Sequence, residues 1–391
     1  MARISQEVLD LKEYISQTRR WLHMHPEPSL KEFETSRFIQ NELDKEGISY
    51  KLIGDTSILA EIQGDHPGKT IFLRADIDAL EMNDDKTCDY KSKNPGLCHA
   101  CGHDGHTAAL LAAAKVLNKK KDQIYGKIKI AFQAAEEIGA GARLFVADGA
   151  LKDVDFAFGI HVASWLDLGK IAAVAGPINA SCDIFEIKIK GDAAHAASPH
   201  LGKDAAIATS SIVVALQALI SRQKDPIDPA VISIGYIQAG SRYNVVAQEG
   251  VIKGTLRTVN KETRANLLDK ISKVACLTAQ VHECEASFEN YNASNVLEND
   301  LAITDYARSI ARDLVGEDNL ITSKPLSLGA EDFADYSQVV PACFIQVGTR
   351  SGESTAFAHH NTHFDLDEEG LLISAQAHID IALKAREYFK W

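Results

Sequence analysis

Apolar and polar residues follow two periods along the chain, and the pattern changes character twice. Residues 50–63 alternate as a hairpin does, and 69–77 (KTIFLRADI) reads as a buried strand. An Ala/Leu-rich segment at 107–119 predicts a helix, 127–134 (KIKIAFQA) a strand, 141–148 a helix and 155–162 (DFAFGIHV) another strand. Strands separated by helices in this way predict an α/β architecture: a mostly parallel sheet with helices on both faces.

After Gly176-Pro177 the pattern shifts. Residues 183–190 (DIFEIKIK) alternate cleanly with period two, and 204–222 has the spacing of an amphipathic helix. Strands at 230–237 and 251–258, a helix at 261–282 and a strand at 285–291 follow. The order β-α-β-β-α-β is ferredoxin-like and has the length of one small domain. Alternating α/β character then resumes, with a helix at 300–315, a strand at 342–348 (ACFIQVG) and a long closing helix at 368–389. The economical reading is a catalytic domain, residues 1–179 and 293–391, interrupted by an inserted lid or dimerisation domain, residues 180–292.

Composition narrows the function classes. At 391 residues two domains are the default, and 46% hydrophobic with 24% charged residues is ordinary for a globular chain. A net charge of −13 argues against a nucleic-acid partner, which needs a clustered cationic surface. The first twenty residues carry helical spacing and mixed charge, not the apolar core of a signal peptide. The apolar stretch around 212–220 is too short to cross a bilayer, so no membrane association is expected. Seven cysteines, an odd number spread over a long chain, are no disulfide framework and imply a reducing, cytoplasmic setting.

The chemistry concentrates at 98–106, CHACGHDGH, with two cysteines, three histidines and an aspartate in nine residues. Such density of potential ligands points to a metal site. The Cys98-x-x-Cys101 spacing also suits a thiol redox motif, which the density of ligands makes the second reading. Haem attachment would require His directly after the second cysteine, where Gly102 stands, and a structural zinc site lacks a second ligand pair. The strand at 127–134 runs into Glu136-Glu137, adjacent carboxylates that are costly to bury without a cation or a proton. The strand at 155–162 carries His161 to its end, and sites in open α/β sheets form outside the carboxyl ends of strands. A further block, 357–365 (FAHHNTHFD), adds His359, His360 and His363, a cluster that could close a coordination sphere.

Together the motifs HMHPEPSLKE, RADIDAL, CHACGHDGHT, FQAAEE, GIHV, HAASPHLGKDA, LGAEDF and HHNTHFD, in this order over essentially the whole chain, resemble the N-acyl-amino-acid amidohydrolases. That group includes hippurate hydrolases, plant auxin-conjugate hydrolases and acetyl-diaminopimelate deacetylases, a branch of the di-metal aminoacylase and carboxypeptidase superfamily. The resemblance implies two divalent metal ions per subunit (Zn, Mn, Co or Ni), held by Cys101, His103, Glu137, His161 and His360. It implies Glu136 as general base, His195 as a hydrogen bond to the substrate carbonyl, Asn244 at the oxyanion and Arg257 at the substrate carboxylate. Asp76 would orient a ligand from behind or pair with Arg74. The expected substrate is a small N-acyl amino acid or a short peptide, and the expected assembly a homodimer or higher homo-oligomer. The chain departs from the usual pattern at Glu81, Ala134, Ala247 and Thr362, where Pro is common, and at His359, where Leu is usual. His23, His25, His99, His106 and His200 are expected to serve structure.

Overall fold

A computed structural model describes residues 2–324 and 326–391. These divide into two units. The first runs to Ile178, resumes at Glu298 and, apart from Leu326–Ala330, continues to Trp391; the second is Asn179–Leu297 with Leu326–Ala330.

After a single helical turn at Gln6–Leu9, the first unit runs through helices α1 (Lys12–Met24) and α2 (Phe33–Lys45), then strands β1 (Ser49–Ile53), β2 (Ser57–Gln63) and β3 (His66–Asp76). Helix α3 (His103–Asn118), β4 (Tyr125–Gln133), α4 (Gly141–Asp148), β5 (Phe156–Asp167) and β6 (Ile171–Ala172) follow. The second unit holds β7 (Ser181–Lys190), α5 (Ala205–Arg222), β8 (Ala230–Ala239), β9 (Glu249–Thr258), α6 (Lys261–Val281) and β10 (Glu285–Ser294). The chain returns through α7 (Leu301–Val315), β11 (Leu320–Ile321), β12 (Ala342–Arg350) and the closing α8 (Glu369–Phe389).

In the first unit eight strands form one sheet in the order β1-β2-β4-β3-β5-β12-β6-β11. Its centre, β4-β3-β5-β12, is wholly parallel, and β1 with β2 is the expected antiparallel hairpin. Ile71, Phe72 and Leu73 are all buried although successive side chains face opposite ways, as happens when both faces of a sheet are covered. Helix α3 is buried nearly all round, and Ala108–Ala114 let it lie against both the sheet and α8. The α/β architecture read from the sequence is therefore present.

The second unit is a four-stranded antiparallel sheet in the order β10-β7-β9-β8, the ferredoxin-like arrangement. One face carries α5 and α6, so β7 buries Phe185, Ile187 and Ile189 while Ile184 and Lys188 face outward. Asp204 caps α5 by accepting from the N–H groups of Ala206 and Ile207, and Asn260 caps α6 through those of Glu262 and Thr263. The apolar stretch at 212–220 lies within α5, which matches the helix expected at 204–222 to within one residue. All 18 residues of α5, mean hydropathy 1.5, pass a length-and-composition test for a membrane span, yet Ala208, Ile212, Leu216 and Leu219 pack into this unit's core.

Two differences in the first unit bear on the site. Helix α3 starts at His103 rather than at 107, so residues 103–106 of the cluster form the first turn of the helix, and Cys98–Gly102 lead into it. Strand β5 continues to Asp167, so His161 lies within the strand and pairs in register with Gln346 of β12. Helix α2, with buried Ile39 and Leu43, has no counterpart in the sequence reading.

Candidate metal centre

The site is set by three backbone features at the carboxyl ends of the parallel strands. Gly102 precedes α3 with φ +91°, and a Cβ there would lie 2.4 Å from Val162 Cγ2. Only glycine combines that left-handed backbone with so close an approach to β5, and the turn lets Cys101 and His103 bring their ligand atoms within 4.8 Å of each other. After β4 the chain turns at Ala135, also left-handed with φ +58°. Glu32 accepts the Ala135 N–H at 3.0 Å and Asp78 accepts the Glu137 N–H at 3.1 Å, which holds the turn that presents Glu136 and Glu137. The third feature is the segment around His360, itself at φ +63°, whose N–H donates to the Ala100 carbonyl at 2.8 Å.

These features bring all five expected ligands to one place. Cys101 is common to two groups of donor atoms, each within 4.8 Å of one another: Cys101 with His103 and Glu137, and Cys101 with His161 and His359. The Cys101 Sγ is 3.5 Å from His161 Nε2 and 3.9 Å from His359 Nδ1. His103 Nε2 is 3.8 Å from Glu137 Oε1, and the more exposed His360 places Nε2 3.4 Å from Glu137 Oε2. The structure thus adds His359 to the residues at the centre.

The histidine rings are oriented by what their other nitrogen does. His103 Nδ1 donates to the Asp78 carbonyl at 2.9 Å, which turns Nε2 towards Glu137; against burial, Asp76 and Cys101 hold this imidazole well above its usual range, so with no cation bound it carries a proton. His161 Nδ1 donates to the Val162 carbonyl at 2.6 Å, leaving Nε2 towards Cys101. His106 has no such freedom: Nδ1 is 2.6 Å from Asp76, and Nε2 accepts the Val162 N–H at 2.9 Å. It braces β3 against β5. The other oxygen of Asp76 accepts from Arg74 at 2.6 Å, the ion pair that was one of its two expected alternatives, and lies 3.6 Å from His103 Nε2.

A divalent cation fits this donor set. His103 Nε2 and Glu137 Oε1 are buried with no hydrogen-bond partner, an arrangement that is costly unless something else binds them. Burial and then the charge of Glu137 push the Cys101 thiol well above its usual range. Burial likewise raises Glu137 to about 7, against the pull of His103. Burial, then neighbouring imidazoles, drives His359 down to about 3 and His161 well below its usual value, so both are neutral at pH 7. Bound cations reverse this balance, because they favour thiolate and carboxylate over the protonated forms.

Beside this centre lies an acidic pocket not expected from the sequence. Glu136 groups with Glu331 and Asp332 of the LGAEDF motif. Burial, followed by the charges of Glu331, Glu137 and Asp332, raises the Glu136 carboxyl well above the usual range. Arg74, 1% exposed, supplies the balancing charge: it donates to Asp76 at 2.6 Å, Asp332 at 2.8 Å, Glu331 at 3.0 Å and Gln133 at 3.0 Å. Even so, burial lifts Asp332 to about 8. Glu32 and Asp78 were also missed as functional partners. Both lie in motifs noted above, but nothing in the sequence distinguishes a turn-holding carboxylate from a surface one.

Cys98 stands apart from the centre. It groups with His23 and Asp84, where Lys86 Nζ already lies 2.8 Å from His23 Nε2, and burial pushes its thiol up to about 12. Cys98 and Cys101 are both free thiols. His23 is buried against Asp104 at 2.7 Å, and His25 holds the Trp21 carbonyl at 2.7 Å. His99 is buried with neither ring nitrogen partnered. In the second unit His195 is exposed and accepts the Ala197 N–H at 3.0 Å. The Ala196 N–H donates to the Asn244 carbonyl at 3.1 Å, so His195 and Asn244 are neighbours. Arg257, half-buried on β9, donates to the Leu328 carbonyl at 3.2 Å.

A cysteine-centred cluster of histidines and carboxylates at the carboxyl edge of a parallel sheet, with a further carboxylate beside it, has the make-up of a metal-dependent hydrolase site. Comparison with known proteins makes the assignment specific. Residues 72–384 match the model of peptidase family M20/M25/M40. The chain is 34% identical to the IAA-amino acid hydrolase ILR1-like 4 of Arabidopsis thaliana over 96% of its length and 86% of that protein's. It is 37% identical to an N-acetyl-L-cysteine deacetylase of Bacillus subtilis over 93% of this chain and 86% of the relative. Among solved structures, the Bacillus subtilis YXEP protein, described as a dinuclear metal binding peptidase of the M20 family, superposes with TM-score 0.85 at 33% identity, covering 97% of this chain and 99% of that one. The chain belongs to peptidase family M20/M25/M40, and it is a metal-dependent amidohydrolase or peptidase.

Proposed function

We propose that the protein hydrolyses the amide bond of N-acyl amino acids, with two divalent ions held by Cys101, His103, Glu137, His161 and His360. The observation that carries this reading is the divergence of adjacent carboxylates: Glu137 faces His103 and His360, whereas Glu136 turns to Glu331 and Asp332. This divergence supports Glu137 as a ligand and Glu136 as the carboxylate for proton work. Sulfur and imidazole donors suit Zn²⁺, with Mn²⁺, Co²⁺ and Ni²⁺ as other candidates. When bound, such ions polarise the scissile carbonyl and lower the pKa of a water from about 15.7 towards about 7.

The protein's own part is then proton transfer and orientation. Glu136, its carboxyl raised by burial and by neighbouring acids, takes the proton of the attacking water and returns it to the leaving amine. His195 hydrogen-bonds the substrate carbonyl, Asn244 meets the developing oxyanion, and the fork of Arg257 receives the substrate carboxylate. These three roles rest on the motifs HAASPH, NVVAQ and GTLRT. Asp76 holds His106 and Arg74 behind the ligands.

An acyl amino acid is favoured as substrate by relatives named for an IAA-amino acid and for N-acetyl-L-cysteine, and a short peptide is the second reading, favoured by the peptidase YXEP. We place the enzyme in the cytoplasm, because its cysteines are free, and as a homodimer formed through the second unit. Glu136→Gln tests the mechanism on N-acyl amino acids. It should lower kcat by about 10²–10⁴-fold while sparing metal content. Turnover retained in this variant would remove Glu136 from the reaction.

A further inference from the structure

We propose that His359 is a sixth metal-binding side chain, which completes with Cys101 and His161 a sulfur–nitrogen position unlike the Cys101–His103–Glu137 position. The inference rests on the metal assignment made above and goes beyond it, because the ligand set implied there ends at five and places His360 alone in this segment. Leu is usual at position 359 in the amidohydrolases that the sequence resembles, so the extra imidazole is a property of this chain.

The geometry is that of a ligand. Around a tetrahedral ion, bonds of about 2.3 Å to sulfur and about 2.0–2.1 Å to nitrogen set the donor atoms roughly 3.6 Å apart. Cys101 Sγ lies 3.5 Å from His161 Nε2 and 3.9 Å from His359 Nδ1. The imidazole is held in place by stacking on His161, with ring centroids 5.0 Å apart and planes 19° from parallel, and by the edge of Phe364 at 5.0 Å. Apart from the thiol, neither nitrogen is spent on the protein: Nε2 is buried without a hydrogen-bond partner. Nδ1, turned to Cys101 Sγ, is the nitrogen left to bind an ion.

Two positions with different donors follow. Cys101, His161 and His359 offer one sulfur and two imidazoles, whereas Cys101, His103 and Glu137 include a carboxylate. Softer donors favour Zn²⁺ and Co²⁺ over Mn²⁺, so the first position should discriminate among metals more sharply than the second.

The test is metal binding by the full chain, without reference to turnover. Metal-free wild type, His359→Leu and His359→Gln are titrated with Zn²⁺ against a competing chelator, and with Co²⁺ while the visible spectrum is recorded. The wild type should take up two ions. Each variant should keep one and bind the other at least about tenfold more weakly, with altered Co²⁺ absorption. Leucine is the residue usual at this position and glutamine keeps the polarity, so if one variant fails to fold the other decides. Two ions bound by the folded variants within twofold of wild-type affinity, and with an unchanged Co²⁺ spectrum, would overturn the role of His359 and leave the five-ligand reading standing. No ion bound by the wild type would overturn that reading itself.

Discussion

Arg74 joins three carboxylates below the centre, and replacing it by methionine keeps most of its volume while removing the charge. Its guanidinium is 1% exposed and donates to Asp76, Asp332 and Glu331 within 3.0 Å. In the wild type Arg74 is the largest influence that opposes burial at Asp76 and holds that carboxyl well below its usual range. Without it, Asp76 keeps His106 at 2.6 Å but loses its main counter-charge, and so remains a poorly compensated buried ion or takes up a proton. At pH 7, protonating a carboxyl of unfolded pKa about 3.9 costs about 4 kcal/mol, which matches the roughly 3–5 kcal/mol lost when one partner of a buried pair is removed. The sign of the pH dependence follows. In the wild type the depressed pKa contributes stability above about pH 4, lost as pH falls through the folded value. In Arg74→Met the folded pKa lies above the unfolded one, so the variant loses stability as pH rises. The gap between the two proteins should therefore shrink by about 1.4 kcal/mol per pH unit on acidification, to about 2 kcal/mol near pH 5.5. Urea unfolding in the presence of a chelator, at intervals between pH 5.5 and 7.5, measures it. A loss below about 1 kcal/mol at pH 7, or a gap that does not change with pH, would refute the argument.

Other expectations concern the turn and the ligands. Gly102→Ala should cost about 1–2 kcal/mol for the left-handed backbone plus the clash with Val162, and should lower metal occupancy; thermal unfolding and metal analysis indistinguishable from wild type would count against it. Asp78→Ala removes the carboxylate that lies 3.3 Å from His103 Nδ1 and accepts the Glu137 N–H, so calorimetric titration should show metal affinity reduced by about 10–100-fold with the fold retained. Cys101→Ala should lower metal content, whereas Cys98→Ala, remote in function beside Lys86, should not; equal effects would revive a paired-thiol reading.

Much of this was legible in the one-dimensional pattern. The strands at 69–77 and 127–134 appear within a few residues of β3 and β4, because a run buried on both faces has a composition that loops do not share. The helix at 141–148 appears at those bounds, closed by Gly149 in a left-handed conformation. Helix α3 was read four residues short, because His103, Asp104 and His106 carry no apolar stripe; their burial comes from hydrogen bonds to Asp78, Arg19 and Asp76. Helix α2 was missed for a related reason: its face is built partly from Thr35, Ser36 and Glu42, which are polar in sequence and buried in the fold.

The residue types at the centre, and the adjacency of Glu136 to Glu137, were fixed by the chain itself, because ligand chemistry belongs to side chains and survives without coordinates. What lies beside what was decided only by folding. Glu331 and Asp332 are nearly two hundred residues from Glu136, yet they surround it and Arg74 because parallel strands end at one edge of the sheet. The sequence likewise offered two consecutive histidines and a preference for His360. Tertiary structure set His359 against Cys101 and His161, through a left-handed residue and one hydrogen bond to Ala100. The direction in which a side chain points depends on a backbone torsion that nothing in the order of residues discloses.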